Sequence, residues 1–151
     1  MDPVKILVKR KEGCEDISLP DYASEHASGM DIRAAVDQAI NLEPGAISLI
    51  PTGLYMAVPR GHEIQVRPRS GLALHHGISI LNSPGTIDSD YRGEIGIILA
   101  NFGKKTFIIN RNDRIAQLVI QKVEKCLFVQ SDELPETMRG SGGFGHTGCA
   151  G

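Results

Sequence analysis

Short runs of β-branched and aliphatic residues, cut apart by glycine and proline, constrain this chain more than any other feature. They are VKILVK (4–9), AISLI (46–50), LYMAV (54–58), HEIQV (62–66), GISIL (77–81), EIGIILAN (94–101), KTFIIN (105–110) and IAQLVIQKV (115–123). Many alternate apolar with polar residues, the period of a strand with one buried face. No long stretch spaces its apolar residues at the helical period. Many short strands separated by turn residues predict an all-β antiparallel sandwich or closed barrel. At 151 residues, with 41% hydrophobic and 23% charged residues, the chain suits one soluble domain with a real core.

One short helix is expected in RPRSGLALHHG, with Ser70 as cap, LALHH as one or two turns and Gly77 as stop. A helix start with a serine, free N–H groups and Arg69 beside it has the makings of an anion site. The competing reading is an ordinary capped surface helix.

Composition narrows the function. A net charge of −2 gives no electrostatic ground for a polynucleotide or membrane partner. No apolar run reaches the ~20 residues of a membrane span. The start, MDPVKILVKRKEG, lacks a signal-peptide pattern, and Cys14, Cys126 and Cys149 are odd in number and widely spaced. A reducing, cytoplasmic setting is expected.

Several motifs fail on context. GSGGFG (140–145) matches GxGxxG but has no strand before it, no helix after it and no acidic residue ~20 positions on. DSDYRGEIGIIL (88–99) starts like a calcium loop, yet Arg92 sits at a ligand position and Leu99 replaces the closing Glu. The five histidines include only one adjacent pair, His75 and His76, so a histidine-built metal site is not expected. In LNSPGTIDSDYRGEIGI (81–97), a strand ending at Asn82, a Ser-Pro-Gly turn and a strand after Arg92 read as a hairpin around a small concavity. Its main-chain groups, with Asn82 and Asp88, suit recognition of a base edge; a plain charged hairpin is the alternative.

Taken together, ASGMDIRAA (27–35), RPRSGLA (67–73), NSPGTIDSDYRGEIG (82–96), RNDRIAQLVI (111–120) and RGSGGFGHTG (139–148) resemble, in order and spacing, the five motifs of the homotrimeric dUTPases. The resemblance implies a jelly roll or distorted β-barrel, with a core over 1–133 and a C-terminal arm over 134–151. It also implies a threefold trimer whose sites lie between subunits. The implied reaction is conversion of dUTP and water to dUMP and pyrophosphate with Mg²⁺, by attack at the α-phosphorus.

By the same resemblance, Asp88 holds and activates the water, and Asp31 supports the site from behind by orienting Arg69 and metal-bound waters. Arg69, Ser70, Gly71 and Gln117 contact phosphates. Asn82, Gly85, Thr86, Ile87 and Gly96 bind uracil through the hairpin, and Tyr91 packs under the deoxyribose. Arg139 reaches the γ-phosphate, Gly145, His146 and Thr147 wrap the phosphates, and Phe144 stacks on uracil. No direct protein ligand for Mg²⁺ is implied; phosphates and waters hold it. The chain departs from the usual pattern at Met30, where Tyr is common, and at His146, where Ser is common. The related dCTP deaminases need a glutamate in the third motif, where this chain has Asp88. A non-enzymatic module on the same scaffold would be expected to lack Asp88, Arg139 or the arm, and all are present.

Overall fold

Alternation along the strands sorts their side chains into one shared core. In a computed structural model, which describes residues 3–143, eleven strands and one helix follow in order. β1 (Leu7–Arg10), β5 (Ile47–Ala57), β9 (Glu94–Asn101) and β7 (Ile78–Ile80) form a four-stranded sheet in the order β1-β5-β9-β7. β2 (Asp21–Tyr22), β3 (Met30–Arg33), β11 (Arg114–Lys122), β6 (His62–Arg67) and β8 (Gly85–Ile87) form a second sheet in the order β2-β3-β11-β6-β8. β4 (Ile40–Leu42) and β10 (Phe107–Ile109) make a separate pair. All pairings are antiparallel.

All three sheets contribute to a single cluster. Ile50, Leu54, Ile97 and Leu99 come from the first sheet, Ile32, Ile64 and Leu118 from the second, and Leu42 and Ile109 from the pair. Each side chain of this size stabilises by about 1.5–3 kcal/mol when removed from water. The fold is therefore all-β, as the alternating runs predict, with three sheets around one core and a single short helix among the described residues.

Four local results differ from the sequence reading. First, AISLI and LYMAV are one strand, β5. Its register against β9 shifts between Pro51 and Tyr55, where Pro51 lacks an N–H and Gly53 takes φ +65°. Thr52 is fully buried there, and its hydroxyl donates to the Ile95 carbonyl at 2.6 Å.

Second, Ser70 is not the cap of helix α1 (Ser70–His76) but its first residue. Arg69 is the N-cap, with no side-chain cap bond, because a guanidinium has no acceptor to offer the first-turn N–H groups. Gly77 does stop the helix, at φ 69°. A Cβ at Gly77 would stand 2.5 Å from the Gly103 nitrogen, so no other residue fits that turn.

Third, segment 81–97 is not a simple hairpin. β7 pairs with β9 in the first sheet, while β8, between them, pairs with β6 in the second. The chain crosses from one sheet to the other at Ser-Pro-Gly and back again before Glu94. Gly85 allows the crossing, since a Cβ there would lie 3.2 Å from the Val66 Cβ.

Fourth, β3, β4 and β8 are strands of three or four residues. Runs that short carry too few residues to show a period. Beyond Lys122 the described chain, 123–143, holds no further strand or helix.

Candidate active site

Asp31 is the centre of the first cluster. It sits on β3 opposite Gln117 of β11, next to the end of β6 that leads into Arg69. Arg69 donates from Nε to Asp31 Oδ1 at 3.0 Å, and Arg114 donates from Nη1 to Oδ2 at 3.3 Å. Arg69 also donates from Nη1 to the Arg114 carbonyl at 3.3 Å. One carboxylate, its side chain only 12% exposed, thus holds two guanidiniums. The cluster keeps a net positive charge facing outward.

A hollow of about 240 Å³ opens beside this cluster, lined by Arg69, Ser70, Gly71, Leu72, His75, His76 and Gln117. The first-turn N–H groups of α1 have no intrahelical acceptor, and no side chain caps them. Cation, amide side chain and free N–H groups on one wall suit an oxyanion. Gly29 leaves room for Gln117 on the other side, since a Cβ there would come within 3.3 Å of the glutamine side chain.

The second cluster lies on the β8–β9 crossing. Thr86, Ile87, Asp88, Tyr91, Ile95 and Gly96 line a cleft of about 180 Å³. Asp88 and Thr86 are exposed and Ile87 is buried. Tyr91 donates its hydroxyl to the Glu94 carbonyl at 3.0 Å, which fixes the ring across the mouth. A Cβ at Gly93 would collide with that hydroxyl, so Gly93 is needed for this ring position. Asn82 and Gly85 lie at the preceding turn, with the Asn82 amide nitrogen 3.3 Å from where a Gly85 Cβ would be.

These clusters do not meet within one chain. β8 runs antiparallel to β6, with Gly85 opposite Val66 and Ile87 opposite Ile64. Asp88 therefore leaves toward the start of β6, and Arg69 follows its end. The span from Ile64 to Arg67 alone is about 10 Å at ~3.3 Å per residue.

Arg139 lies in the described chain but turns back on itself, donating from Nε to the Gly142 carbonyl at 2.9 Å. Phe144, Gly145, His146 and Thr147 lie outside the described residues. Larger hollows exist, one of about 460 Å³ under the N-terminal segment. Its lining is apolar, with Val4, Ile6, Leu19, Ile64 and Leu118, and Met30 fills one side as a packing residue. Among the described residues, no three His, Cys, Asp or Glu side chains converge as a metal cage. Nor, among the described residues, is any helix long and apolar enough to cross a membrane.

Sequence reading missed Arg114, Gly29 and Gly93. Arg114 and Gly29 lie inside the quoted motifs, but their partners are 83 and 88 residues away in sequence and no local pattern pairs them.

The all-β fold thus carries an anion-suited hollow and, apart from it, a second and smaller cleft. Its architecture is similar to that of a Staphylococcus bacteriophage 80alpha dUTPase with dUPNHPP, with a TM-score of 0.85 and 24% identity over 95% of this chain and 98% of that one. It is also similar to a mutant dUTPase from phage phi11 of S. aureus, described with a structural Mg(II) ion, with a TM-score of 0.77 and 23% identity over 87% and 99% of the two chains. At that identity these likenesses establish the fold. In sequence the chain is 55% identical to the deoxyuridine 5'-triphosphate nucleotidohydrolase of Rickettsia massiliae, over 98% of this chain and 99% of the relative. It is 52% identical to the same-named protein of Rickettsia prowazekii over the same shares. The dUTPase family profile matches residues 15–148, and the chain belongs to the dUTPase family of enzymes.

Proposed function

We propose that this enzyme hydrolyses dUTP to dUMP and pyrophosphate, in the cytoplasm, keeping uracil out of DNA and supplying dUMP for thymidylate synthesis. The observation that carries the reading is the division of the motif residues into two half-sites, one built for an oxyanion and one narrow enough for a base and sugar.

Asp88 accepts the proton of a water as that water attacks the α-phosphorus. The bond to the bridging oxygen breaks, and pyrophosphate leaves with the electron pair. Arg69, the first-turn N–H groups at Ser70 and Gly71, and Gln117 stabilise the charge that collects on the phosphates. Asp31 holds Arg69 in register for that task. A divalent cation such as Mg²⁺, carried by the triphosphate rather than by protein ligands, would add charge neutralisation to what Arg69 and the first-turn N–H groups supply. Asp31 is suited to orienting guanidiniums rather than to holding an ion, since both of its oxygens are taken up by Arg69 and Arg114.

Main-chain groups around Asn82, Gly85, Thr86, Ile87 and Gly96 read the uracil edge. The narrow cleft excludes the thymine methyl, and cytosine offers the wrong donor pattern to fixed main-chain groups. The Tyr91 ring, held by Glu94, leaves no room for a 2′-hydroxyl.

Asp88 and Arg69 lie at opposite ends of β6, so a complete site needs a second chain. A homotrimer, with the Asp88 cleft of one subunit set against the Arg69 hollow of another, meets that requirement. The chain beyond Lys122 gives the trimer further contacts, since Leu127, Phe128 and Val129 are largely exposed in the single chain. Arg139 then reaches the γ-phosphate, Phe144 covers the uracil, and Gly145, His146 and Thr147 close on the phosphates of a neighbouring site.

Pyrophosphate release from dUTP, dCTP, dTTP and UTP with Mg²⁺ tests this reading. Release from dUTP alone is expected, and ammonia from dCTP would overturn it. Asp88→Asn should bind a non-hydrolysable dUTP analogue with near-normal affinity and hydrolyse dUTP at a small fraction of the parent rate. Retained turnover would remove Asp88 from the role of base.

A further inference from the structure

β11 carries a bulge where it meets the oxyanion cluster. Arg114 pairs with Arg33, but Ala116 pairs with Ile32, so Ile115 is an extra residue on β11. A regular strand would put residues 115 and 117 on one face and send 114 to the other. Here Ile115 and Ala116 are consecutive and both buried, 1% and 0% exposed. Arg114 and Gln117 consequently share the outer face, the face that presents Asp31 to Arg69. Bulges of this kind re-aim side chains beside functional sites.

The re-aimed side chain has a defined job. With Oδ1 taken by Arg69 and Oδ2 by Arg114, the Asp31 carboxylate is held at both oxygens. The Arg69 guanidinium is held at two of its five N–H groups, by Asp31 and by the Arg114 carbonyl, and keeps three to offer outward. Without the Arg114 side chain, Asp31 could rotate about its last bond, and Arg69 would move with it. The charge of the Asp31, Arg69 and Arg114 trio would also fall from +1 to zero.

We propose that Arg114 is a positioning residue for hydrolysis: it acts through Asp31 to hold Arg69 against the leaving phosphates, without touching substrate itself. The proposal rests on the phosphate-binding role of Arg69 given above. The Arg114 side chain is about half exposed, so its removal leaves the core intact.

The test is steady-state hydrolysis of dUTP by Arg114→Met, Arg114→Lys, Arg69→Met, Asp31→Asn and the double variant of Asp31→Asn with Arg114→Met. Arg69→Met should lose about 100-fold or more in kcat, as for loss of a direct transition-state donor. Arg114→Met should lose roughly 10- to 50-fold in kcat with KM changed by less than about threefold, the signature of an interaction used in the transition state. Arg114→Lys keeps the charge and should recover most of that loss. In the Asp31→Asn background, Arg114→Met should cost less than about twofold, because the residue it acts through has already been altered. The inference is overturned if Arg114→Met keeps kcat within about twofold while Arg69→Met is impaired, or if its cost is undiminished in the Asp31→Asn background. If Arg69→Met itself is unimpaired, the phosphate-site reading fails and takes the inference with it.

Discussion

Gly53 offers a quantitative test of what holds the irregularity in β5 together. It sits in the irregularity of β5 at φ +65°, with its N–H donating to Glu94 Oε1 at 3.0 Å and its carbonyl accepting from the Lys11 N–H at 2.8 Å. An added Cβ would stand 2.6 Å from Cys14 Sγ, 2.8 Å from Cys14 Cβ and 3.2 Å from the Ala35 Cβ. Cys14 is buried with Ile17 and Ala35 in a small satellite core, and its short side chain has no far end to swing away. Two costs therefore add in Gly53→Ala. The left-handed backbone costs a residue with a Cβ about 1–2 kcal/mol, and overpacking costs about 1–3 kcal/mol. The sum is roughly 2–5 kcal/mol, or a fall in Tm of roughly 4–20 °C at ~2–4 °C per kcal/mol for a domain of this size. Urea unfolding of wild type and variant at equal chain concentration measures it, since assembly makes stability depend on concentration. Adding Cys14→Ala removes the Sγ clash and leaves the Cβ contacts, so the double-mutant coupling should be in the relieving direction and recover only part of the overpacking cost of about 1–3 kcal/mol. A total below about 1 kcal/mol, or no coupling to Cys14, would refute the reasoning.

The remaining predictions concern acid stability and the arm. Arg111 binds Asp16 through both carboxylate oxygens, at 2.6 and 2.8 Å, and this pulls the Asp16 carboxyl from 3.8 to about 2. Folding therefore favours the ionised form; the contribution is present above the ordinary carboxylate pKa and is lost as pH falls toward 2. The urea midpoint of wild type should exceed that of Asp16→Asn near neutral pH by a small margin, and the two should converge between about pH 4 and pH 2. A difference that does not change with pH would show that charge is not its origin. Truncation after Glu136 should leave a folded protein with an unchanged core but remove most hydrolysis of dUTP, because Arg139 and Phe144 go with it. Full activity in the truncated chain would exclude a role for the arm.

Much of the fold was legible because buried strands write a period of two into the sequence. The longer ones, β6, β9 and β11, fall on runs such as HEIQV, EIGIILAN and IAQLVIQKV. The misreadings share a cause, which is that backbone direction at Gly and Pro is settled by distant packing. Pro51 and Gly53 looked like a break between two strands, yet Thr52 is buried beneath Ile95 and carries one strand through. Ser-Pro-Gly looked like a hairpin turn, yet Gly85 packs against Val66 and takes β8 into the opposite sheet. Ser70 looked like a cap because Ser prefers that place, but the helix begins on it, and Arg69 is drawn to Asp31 on another strand.

The candidate site shows the same division between composition and geometry. Motif resemblance names Asp31, Arg69 and Gln117, each a residue type that its chemistry requires. It does not name Arg114 as a partner of Asp31, because that depends on a one-residue bulge placing Ile115 and Ala116 together in the core. Nor does chain order show that Asp88 and Arg69 lie at opposite ends of β6, only 19 positions apart in sequence. Antiparallel pairing produces this: the chain leaves β6 after Arg67, passes Arg69 into α1 and β7, and returns in β8 running the other way. On the function proposed above, a base at one end of β6 and a phosphate site at the other would have to come from two chains to meet at one phosphorus, and that separation is the argument for assembly before catalysis.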